Sequence, residues 1–531
     1  MTSQSQPVRF STHGSQAVTV VGGRPEDPYA RPSGEITIVG GRPEDNPLGS
    51  ADSFAAQQPH PRLGALADLT LVNVNLLRFN LSGRIDHEVH PPLGLLYLVS
   101  VLERAEYAVD YVDLQLHPLE RPDEDPFDLA QAAAWIGEVS DVVGLGCMVN
   151  LLPFTLLLAK VIKTRNPQVK IVLGGVGPFG VEEKILTEFP WIDVVVRGEA
   201  EDTILELLPA LRGHLPLDAI QGISFRNLNG VVVRNLDRPR ILDLDTIPFP
   251  AYHRLDIRHY NAFNIVTNRG CPYPCTFCSA APIWNRKTTC RSHENVIAEI
   301  RHLHETYGVN HVLFQDEFFY TTERRMLDFC DQLIASGLNV TWKCFGRVNL
   351  VTEKAMRRMA EAGCIQLRFG IESGSDRVLK HVSKAFDTRQ ANAAVALAKG
   401  IFPSVETFFM WGFPFEDMDD LFRSAIIMER YRDMGVHVLP SLLSLMPQTR
   451  IYQDFLAGHY PGRLTLHPEL VPIFVVGGFE ILGRETTIQD QHQIYYDLVA
   501  EHPDIFPGFY LLDYEDNIRP KMDVMQSLGF A

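Results

Sequence analysis

The segment Arg269-Gly270-Cys271-Pro272-Tyr273-Pro274-Cys275-Thr276-Phe277-Cys278 decides most of what the sequence indicates about fold and chemistry. Its cysteines have the spacing C-x3-C-x2-C. Three thiolates this close in one loop can hold three irons of a cubane cluster and leave the fourth iron open. An open iron can bind a second molecule, which turns an electron carrier into a catalyst. The segment therefore predicts a catalytic [4Fe-4S] site with Cys271, Cys275 and Cys278 as its ligands.

A structural zinc loop is the main alternative for these cysteines. Zinc in such a loop usually has four Cys or His ligands. The nearest further candidates, Cys290 and His293, are separated from Cys278 by a stretch that carries Trp284. Because no fourth ligand follows at ligand spacing, the iron–sulfur cluster is the favoured interpretation.

Strand and helix patterns alternate six times between Ala262 and about Ser444. The candidate strands are Ala262–Thr267, His311–Asp316, Thr341–Gly346, Cys364–Phe369, Phe402–Met410 and Val436–Ser444. Six such units suit a partial (β/α)6 TIM-type barrel, whose active groups line the carboxyl ends of the strands. The cysteine segment follows the first strand, at the end where that rule places chemistry.

The cysteine spacing, with an aromatic residue just before the last cysteine, resembles the radical S-adenosylmethionine (radical SAM) superfamily. The resemblance implies that the open iron chelates S-adenosylmethionine and that the reduced cluster cleaves it to a 5'-deoxyadenosyl radical. Motifs at later strand ends agree with the family. By resemblance, the S-adenosylmethionine-binding residues are Phe277, Asp316, Glu317, Arg347, Glu372, Ser373, Gly412 and Pro414.

Two of these assignments have structural alternatives. Asp316 suits the cap of the helix that follows it. Glu372 suits an ion pair with Arg347 that only neutralises a buried charge, because perturbed carboxylates occur in ion-pair networks as well as in active sites.

A second strand–helix alternation precedes the cysteine segment. The candidate strands are Leu69–Asn75, Ala108–Asp113, Val142–Gly146, Lys170–Gly174 and Asp193–Val196. They predict an α/β fold with a five-stranded, parallel, doubly wound (Rossmann-like) sheet and helices on both faces. Ligands of such sheets bind at the carboxyl ends of the strands.

The strand-end loops of this region resemble the cobalamin-binding domain found ahead of many radical SAM cores. The matching pieces are "PPLGLLYL", "VLGGVGP" and "VVVRGEAEDTILEL", and the resemblance covers about Leu69 to Leu211. The cobalamin-binding residues that it implies are Pro92, Leu93, Gly94, Cys147, Met148, Val149, Gly174, Gly175, Arg197, Gly198 and Glu199.

One departure from the cobalamin pattern concerns the lower axial ligand of cobalt. Domains that ligate cobalt through histidine use Asp-x-His-x-x-Gly, and the first loop instead has Asp86-His87-Glu88-Val89-His90. Many radical SAM relatives lack that motif and hold cobalamin with no protein histidine on cobalt. His87 or His90 as a ligand remains an alternative.

The chain of 531 residues is long enough for two or three domains. We predict a disordered tail over 1–66, which contains two Gly-Gly-Arg-Pro-Glu-Asp repeats, and a cobalamin-binding domain over 67–212. A linker with a hairpin over 213–258, a radical SAM core over 259–450 and a mainly helical substrate-capping region over 451–531 complete the division.

Composition narrows the class of protein. Lys and Arg number 48 against 65 Asp and Glu, and the net charge of −17 argues against general nucleic-acid binding. The first residues are polar and no apolar signal region follows, while the apolar run Val142 to Ala159 suits a buried strand and helix better than a membrane span. Eight cysteines form no disulfide framework, and cluster thiolates need a reducing compartment, so we expect a cytoplasmic protein without a membrane partner.

The two resemblances together imply a cobalamin-dependent radical SAM methyltransferase. Its expected cofactors are a [4Fe-4S] cluster, S-adenosylmethionine and methylcobalamin, and its expected partners are a small-molecule or peptide substrate and an electron donor such as flavodoxin or ferredoxin. The expected reaction is methylation of an unactivated carbon in specialised metabolism. The alternatives are a rearrangement, cyclisation or oxidation without methyl transfer, polar methylation of an sp2 carbon such as an indole, and a non-catalytic cobalamin or cluster sensor.

Overall fold

A computed structural model describes residues 62–74, 89–471 and 487–530, together with a short antiparallel strand pair, Arg9–Ser11 with Ala17–Thr19. The rest of the predicted tail up to residue 61, with nearly all of its two repeats, lies outside the described residues. The same holds for His87, one of the two histidines considered as cobalt ligands.

The first domain is built on a seven-stranded sheet. Its strands are β1 (Leu69–Asn73), β2 (Val109–Asp113), β3 (Val142–Gly146), β4 (Lys170–Gly174), β5 (Val194–Val196), β6 (Ile223–Arg226) and β7 (Val232–Arg234). The strand order is β2-β1-β3-β4-β5-β6-β7, and the first five strands are parallel, as the sequence predicts.

The hairpin of β6 and β7 extends the sheet of the first domain. We assigned it to the linker, but β6 pairs antiparallel with β5 and extends the sheet by two strands. The reason is burial: the side chains of Ile223 and Phe225 are almost fully buried, and pairing with β5 places them against the core of the first domain.

Helices cover both faces of this sheet. They are α1 (Leu93–Arg104), α2 (His117–Glu120), α3 (Leu129–Ile136), α4 (Leu152–Arg165), α5 (Glu182–Glu188) and α6 (Glu201–Leu211). Side chains of β1 alternate between the faces: Leu69 and Leu71 join the core under α1 and α6, and Val72 joins the core of the opposite face. The apolar run from Val142 is divided between β3 and α4, and among residues with described positions no helix is long and apolar enough to cross a membrane.

Residues 62–66, predicted as the end of the tail, are anchored to the first domain. The Arg62 guanidinium makes an ion pair with Asp110 at 2.8 Å and donates a hydrogen bond to the Ile136 carbonyl at 2.9 Å. The aspartate is buried, so residues 62–66 take part in the packing of the first domain.

The second domain has six parallel strands in the order β8-β11-β12-β13-β14-β15, which confirms the open partial barrel. The strands are β8 (Phe263–Ile265), β11 (His311–Phe314), β12 (Thr341–Gly346), β13 (Cys364–Glu372), β14 (Ser404–Trp411) and β15 (His437–Leu442). Two short strands, β9 (Asn268–Arg269) and β10 (Thr289–Cys290), pair with each other beside the barrel. The helices are α7 (Ala280–Ile283), α8 (His293–Tyr307), α9 (Glu323–Ala335), α10 (Glu353–Glu361), α11 (Asp376–His381), α12 (Thr388–Lys399) and α13 (Met418–Asp433).

The C-terminal region is mainly helical in its described residues and includes one short strand pair. It contains α14 (Arg450–Leu456), α15 (Gln493–Glu501) and α16 (Arg519–Ser527), and an antiparallel pair of β16 (Leu464–Leu466) with β17 (Tyr510–Leu512). It touches both domains. The Lys521 ammonium donates to the Glu416 carbonyl of the barrel at 2.7 Å, and His492 lies 2.7 Å from the Asp125 carboxylate of the first domain.

Candidate active site at the facing strand ends

The cysteine loop starts at β9 and runs to α7, at the carboxyl end of the first barrel strand. Pairing of β9 with β10 closes the loop at its base. Gly270 has a φ of +97°, and a side chain there would collide with the Lys287 carbonyl. Only glycine satisfies both conditions, so the residue before Cys271 is required by the geometry of the loop.

The three thiols are close enough to act electrostatically on one another. Burial raises the pKa of Cys271 above its usual value and that of Cys278 to about 11, and in both cases the neighbouring cysteines contribute to the rise. In the part of the chain that the structure describes, no three Cys, His, Asp or Glu side chains converge on a point that would suit a single metal ion.

Asp316 holds the base of the cysteine loop. Its carboxylate accepts hydrogen bonds from the Thr267 backbone N–H at 2.7 Å, the Thr267 hydroxyl at 2.8 Å and the Asn268 N–H at 2.9 Å. The side chain is buried, and burial raises its pKa to about 7. The carboxylate is thus engaged inside the protein, at a strand end and not at the start of the next helix, whose N-cap is Thr322. Its predicted contact with S-adenosylmethionine stays a prediction.

Glu317 ties the two ends of the same loop together. Its carboxylate accepts from the Trp284 indole N–H at 2.7 Å, after the last cysteine, and from the Gly270 N–H at 3.3 Å, before the first. The glutamate is solvent-exposed. Its predicted S-adenosylmethionine contact stays a prediction.

Arg347 lies over the cysteine loop with unused hydrogen-bond donors. Its guanidinium carbon is 3.4 Å from the centre of the Tyr273 ring, and its Nε and one Nη are buried without a hydrogen-bond partner. Donors left unpaired in a buried site carry a free-energy cost unless a ligand satisfies them. A carboxylate, such as that of S-adenosylmethionine, matches this fork of donors.

Glu372 pairs with Lys384 and not with Arg347. The Lys384 ammonium lies 2.8 Å from the Glu372 carboxylate and also donates to the Gly370 carbonyl at 3.2 Å. Both side chains are buried, and the lysine acts electrostatically on Cys275. Sequence reasoning missed Lys384, which is twelve residues further along the chain.

The backbone at Glu372 is unusual. Its φ is +70°, a left-handed value that is rare for residues other than glycine, and the pairing of β13 with β14 shifts register between Gly370 and Glu372. Strained backbone of this kind concentrates at functional sites. The left-handed backbone is consistent with the predicted role of Glu372 in binding S-adenosylmethionine, which stays a prediction.

The remaining predicted S-adenosylmethionine residues divide into two groups. Ser373 is fully buried, and its hydroxyl is engaged by Ser424 at 3.1 Å and by the Ser375 N–H at 3.1 Å, while its predicted contact with S-adenosylmethionine stays a prediction. Phe277, Gly412 and Pro414 lie near one another, because the Phe277 ring contacts Phe413 at a centroid distance of 6.0 Å.

In the first domain, glycines leave the strand ends open for a large flat ligand. A Cβ added at Gly94, Gly174 or Gly198 would meet no atom within 4 Å. Gly175 has a φ of +90°, and its Cβ would lie 2.7 Å from the Cys147 carbonyl oxygen, so only glycine fits this turn. Beside these glycines, Pro92, Met148 and Val149 are half-buried. Open strand ends fit the face of a corrin ring.

Three side chains predicted to bind cobalamin are occupied elsewhere. Cys147 is buried in the domain core, where burial raises its pKa to about 12. Arg197 makes an ion pair with Asp237 and donates to the Ile223 carbonyl at 3.2 Å, so it anchors the β6–β7 hairpin. The Glu199 carboxylate accepts from Arg269 at 2.7 Å. Their predicted contacts with cobalamin stay predictions.

A buried polar network at the ends of β1 and β2 was also missed by sequence reasoning. The Asp113 carboxylate accepts from the Asn73 amide at 2.7 Å and from the Tyr260 hydroxyl at 2.7 Å. Burial raises the pKa of this aspartate. Next to it, the Asn261 side chain accepts from the Val89 N–H at 2.7 Å. The connector before β8 therefore fixes the end of the first cobalamin-domain loop.

The strand ends of the two domains face each other. Gly180, after β4, packs against Gln448, after β15, so that an added Cβ would lie 3.4 Å from the Gln448 Cβ. Both polar atoms of the Gln448 amide are buried without a hydrogen-bond partner. A Cβ at Gly508 in the C-terminal region would lie 3.8 Å from Val149, which brings a third segment to the same place. The two predicted cofactor sites thus open toward one another.

Comparisons with known proteins define the class of these two domains. Residues 265–425 match the radical SAM superfamily, and residues 86–208 match the B12 binding domain. An uncharacterized methyltransferase of Pyrococcus horikoshii is 34% identical over 374 residues, which cover 70% of this chain and 79% of the relative. The chain belongs to the cobalamin-dependent radical SAM methyltransferase family, whose cofactors are a [4Fe-4S] cluster, S-adenosylmethionine and cobalamin.

The particular relatives differ in their named activity. An anaerobic magnesium-protoporphyrin IX monomethyl ester cyclase of Synechocystis sp. is 28% identical over 412 residues, covering 74% of this chain and 77% of the cyclase. The fold is similar to that of the radical S-adenosylmethionine methyltransferase TsrM from Kitasatospora setae, solved with cobalamin and a [4Fe-4S] cluster bound. The TM-score is 0.60 at 15% identity, covering 87% of this chain and 95% of that one.

Proposed function

We propose that the chain transfers a methyl group, through methylcobalamin, to an unactivated carbon of a natural-product intermediate or peptide. The observation that carries the proposal is the facing arrangement of the two strand-end edges, joined by the contacts of Gly180 with Gln448 and of Glu199 with Arg269. A substrate held between these edges would reach both cofactors. The methyltransferase name of the Pyrococcus horikoshii relative supports the proposal.

The residues of this chain would bind and orient the cofactors. When bound, the cluster with S-adenosylmethionine supplies radical chemistry and cobalamin supplies a methyl carrier. Cys271, Cys275 and Cys278 would hold the cluster, and Arg347 would donate hydrogen bonds to a carboxylate. Lys384 would hold the Glu372 carboxylate in place through their ion pair at 2.8 Å.

The direct test of methyl transfer uses methyl-labelled S-adenosylmethionine. The reconstituted protein is incubated with reductant, labelled S-adenosylmethionine and candidate substrates, and product is analysed together with deoxyadenosine. Label in the product with comparable deoxyadenosine formation is expected. Deoxyadenosine with an unlabelled product would refute methyl transfer.

A second candidate function is a radical cyclisation, rearrangement or oxidation. It is favoured by the relative named as a cyclase, which matches 74% of this chain. The labelling experiment separates the two, since a cyclisation forms deoxyadenosine without transferring label. Polar methylation of an sp2 carbon such as an indole would give labelled product with little deoxyadenosine, and a non-catalytic sensor would give neither.

The proposed setting is the cytoplasm, with a flavodoxin or ferredoxin as electron donor. All eight cysteines are unpaired, and a reducing compartment keeps cluster ligands available. Reduction by a purified flavodoxin system in place of dithionite tests the donor: turnover supports it, and turnover with dithionite alone counts against it.

A further inference from the structure

An ion cluster joins the cysteine loop of the barrel to the cobalamin-binding domain. Arg269, two residues before Cys271, lies 2.7 Å from the Glu199 carboxylate and 2.5 Å from the Glu201 carboxylate. The three side chains are only 12%, 5% and 8% exposed. A bidentate arginine between two buried carboxylates is a rigid and directional contact.

Arg240, in the connector, links this ion cluster to both ends of the cysteine loop. Arg240 donates to the Arg269 carbonyl at 2.9 Å and to the Lys287 carbonyl at 2.8 Å. Its guanidinium stacks on the Trp284 ring at 4.9 Å and lies 3.9 Å from the Glu199 carboxylate. Glu199 is thus next to both arginines that fix the loop.

On its other side, the cluster adjoins the predicted cobalamin surface. Glu199 directly follows Gly198, whose φ is +74° and where an added side chain would meet nothing within 4 Å. Arg269 also lies 5.6 Å from the ring of Tyr97, on the helix that begins at Leu93, one of the residues predicted to bind cobalamin. A corrin against Gly198 would therefore touch the backbone that carries Glu199.

We propose that Glu199 and Glu201 are positioning residues that couple occupancy of the cobalamin site to the geometry of the cysteine loop through Arg269. The inference rests on the proposed function only in that both cofactors bind. Seating cobalamin at Gly198 restricts the Glu199 backbone, Glu199 fixes Arg269, and Arg269 fixes the start of the loop. Coupling between two sites is reciprocal, so cluster assembly must tighten cobalamin binding by the factor by which cobalamin favours the assembled loop.

The first measurement is the Kd of hydroxocobalamin for cluster-free and for cluster-reconstituted protein. We expect the wild type to bind at least about fivefold more tightly when the cluster is present, the lower end of usual coupling factors. Glu199→Gln should bring that ratio close to one. The matched control is Glu206→Gln, since Glu206 on α6 also pairs with a connector arginine, Arg238, but does not contact the cysteine loop. It should keep the wild-type ratio.

The second measurement follows the loop without any cluster. Cluster-free protein is alkylated with iodoacetamide, and the rate at Cys271 is read by peptide mass spectrometry with and without hydroxocobalamin. Cobalamin should slow the labelling of Cys271 at least about threefold in the wild type and in Glu206→Gln, and should have no effect in Glu199→Gln. Arg269→Lys keeps the positive charge, but a lysine ammonium cannot reproduce the planar contact of the arginine with two carboxylates, so this variant should lose most of the slowing of Cys271 labelling by cobalamin.

These outcomes decide the inference separately from the function. A wild-type ratio near one, or equal ratios in Glu199→Gln and Glu206→Gln, overturns it. Circular dichroism melting of each variant checks folding, and if Glu199→Gln does not fold, the conservative Arg269→Lys carries the same test. Neither measurement needs turnover, so a coupled protein that transfers no methyl group would contradict only the proposed function.

Discussion

Replacing Lys384 with methionine should strongly destabilise the cofactor-free protein. The lysine ammonium and the Glu372 carboxylate are 2.8 Å apart, and their side chains are 8% and 10% exposed. Methionine preserves much of the side-chain volume and removes the charge. It leaves a buried carboxylate whose counter-ion is gone.

The size of the effect follows from the geometry of the pair. At 2.8 Å and an effective dielectric constant of about 20, the attraction is about 6 kcal/mol. Burying the two charges costs several kcal/mol for each ion, so the intact pair contributes little net stability. Removing one partner leaves the second desolvation cost uncompensated and should lower the free energy of unfolding by about 3–5 kcal/mol.

The assay is urea unfolding of cofactor-free Lys384→Met, Glu372→Gln and the double variant. The double variant should recover most of the loss, since it buries no unpaired charge. Arg357→Met is the control: its pair with Glu353 is more than half exposed on both sides and should cost less than about 1 kcal/mol. If Lys384→Met costs no more than Arg357→Met, or the double variant is no more stable than the single one, the reasoning fails.

Three further predictions concern single residues. Gly412→Ala should lower the free energy of unfolding by about 1–3 kcal/mol, because Gly412 has a φ of +87° and an added Cβ would lie 2.8 Å from Leu442. The control is Gly400→Ala, at a negative φ, which should have little effect in the same urea titration. Burial raises the pKa of Asp316 to about 7, so folding favours its protonated form. The free energy of unfolding of the wild type, relative to Asp316→Asn, should therefore be greatest below pH about 4 and should fall as pH rises to about 7. A difference in unfolding free energy that does not change with pH would contradict this. Gly174→Leu should fold normally, since an added Cβ at Gly174 would meet no atom within 4 Å. It should weaken hydroxocobalamin binding at least tenfold, as measured by absorbance titration. Unchanged binding would show that Gly174 is not part of the cobalamin surface.

The features that the sequence predicted well are local ones. Apolar runs, glycines and cysteine spacing within a few residues predict the six barrel strands, the five parallel strands of the first domain and the cysteine loop. Thr341–Gly346, for example, is a strand with the bounds predicted for it. Such signals come from the backbone conformation of the segment itself, so one sequence is enough to read them.

The contacts that the sequence did not predict share a physical cause, which is pairing over long sequence distances. Arg197 pairs with Asp237, Glu199 pairs with Arg269, and Glu372 pairs with Lys384, whereas the structural alternative considered for Glu372 was a pair with Arg347. Each partner is chosen by the folded arrangement of segments that are separate in the sequence. A position at a strand end indicates that a residue lies near a site, but it does not indicate which side chain will pair with its charge.

The C-terminal region has a consequence for exchanging domains between relatives. Tyr495 donates to the Phe127 carbonyl, and Lys184 lies 2.9 Å from Asp504, while Lys521 is bound to the barrel at Glu416. A chimera that received only a foreign cobalamin-binding domain would lose the first two contacts and keep the third. The exchange unit is therefore discontinuous: a grafted first domain has to bring the segment with Tyr495 and Asp504 from its own parent.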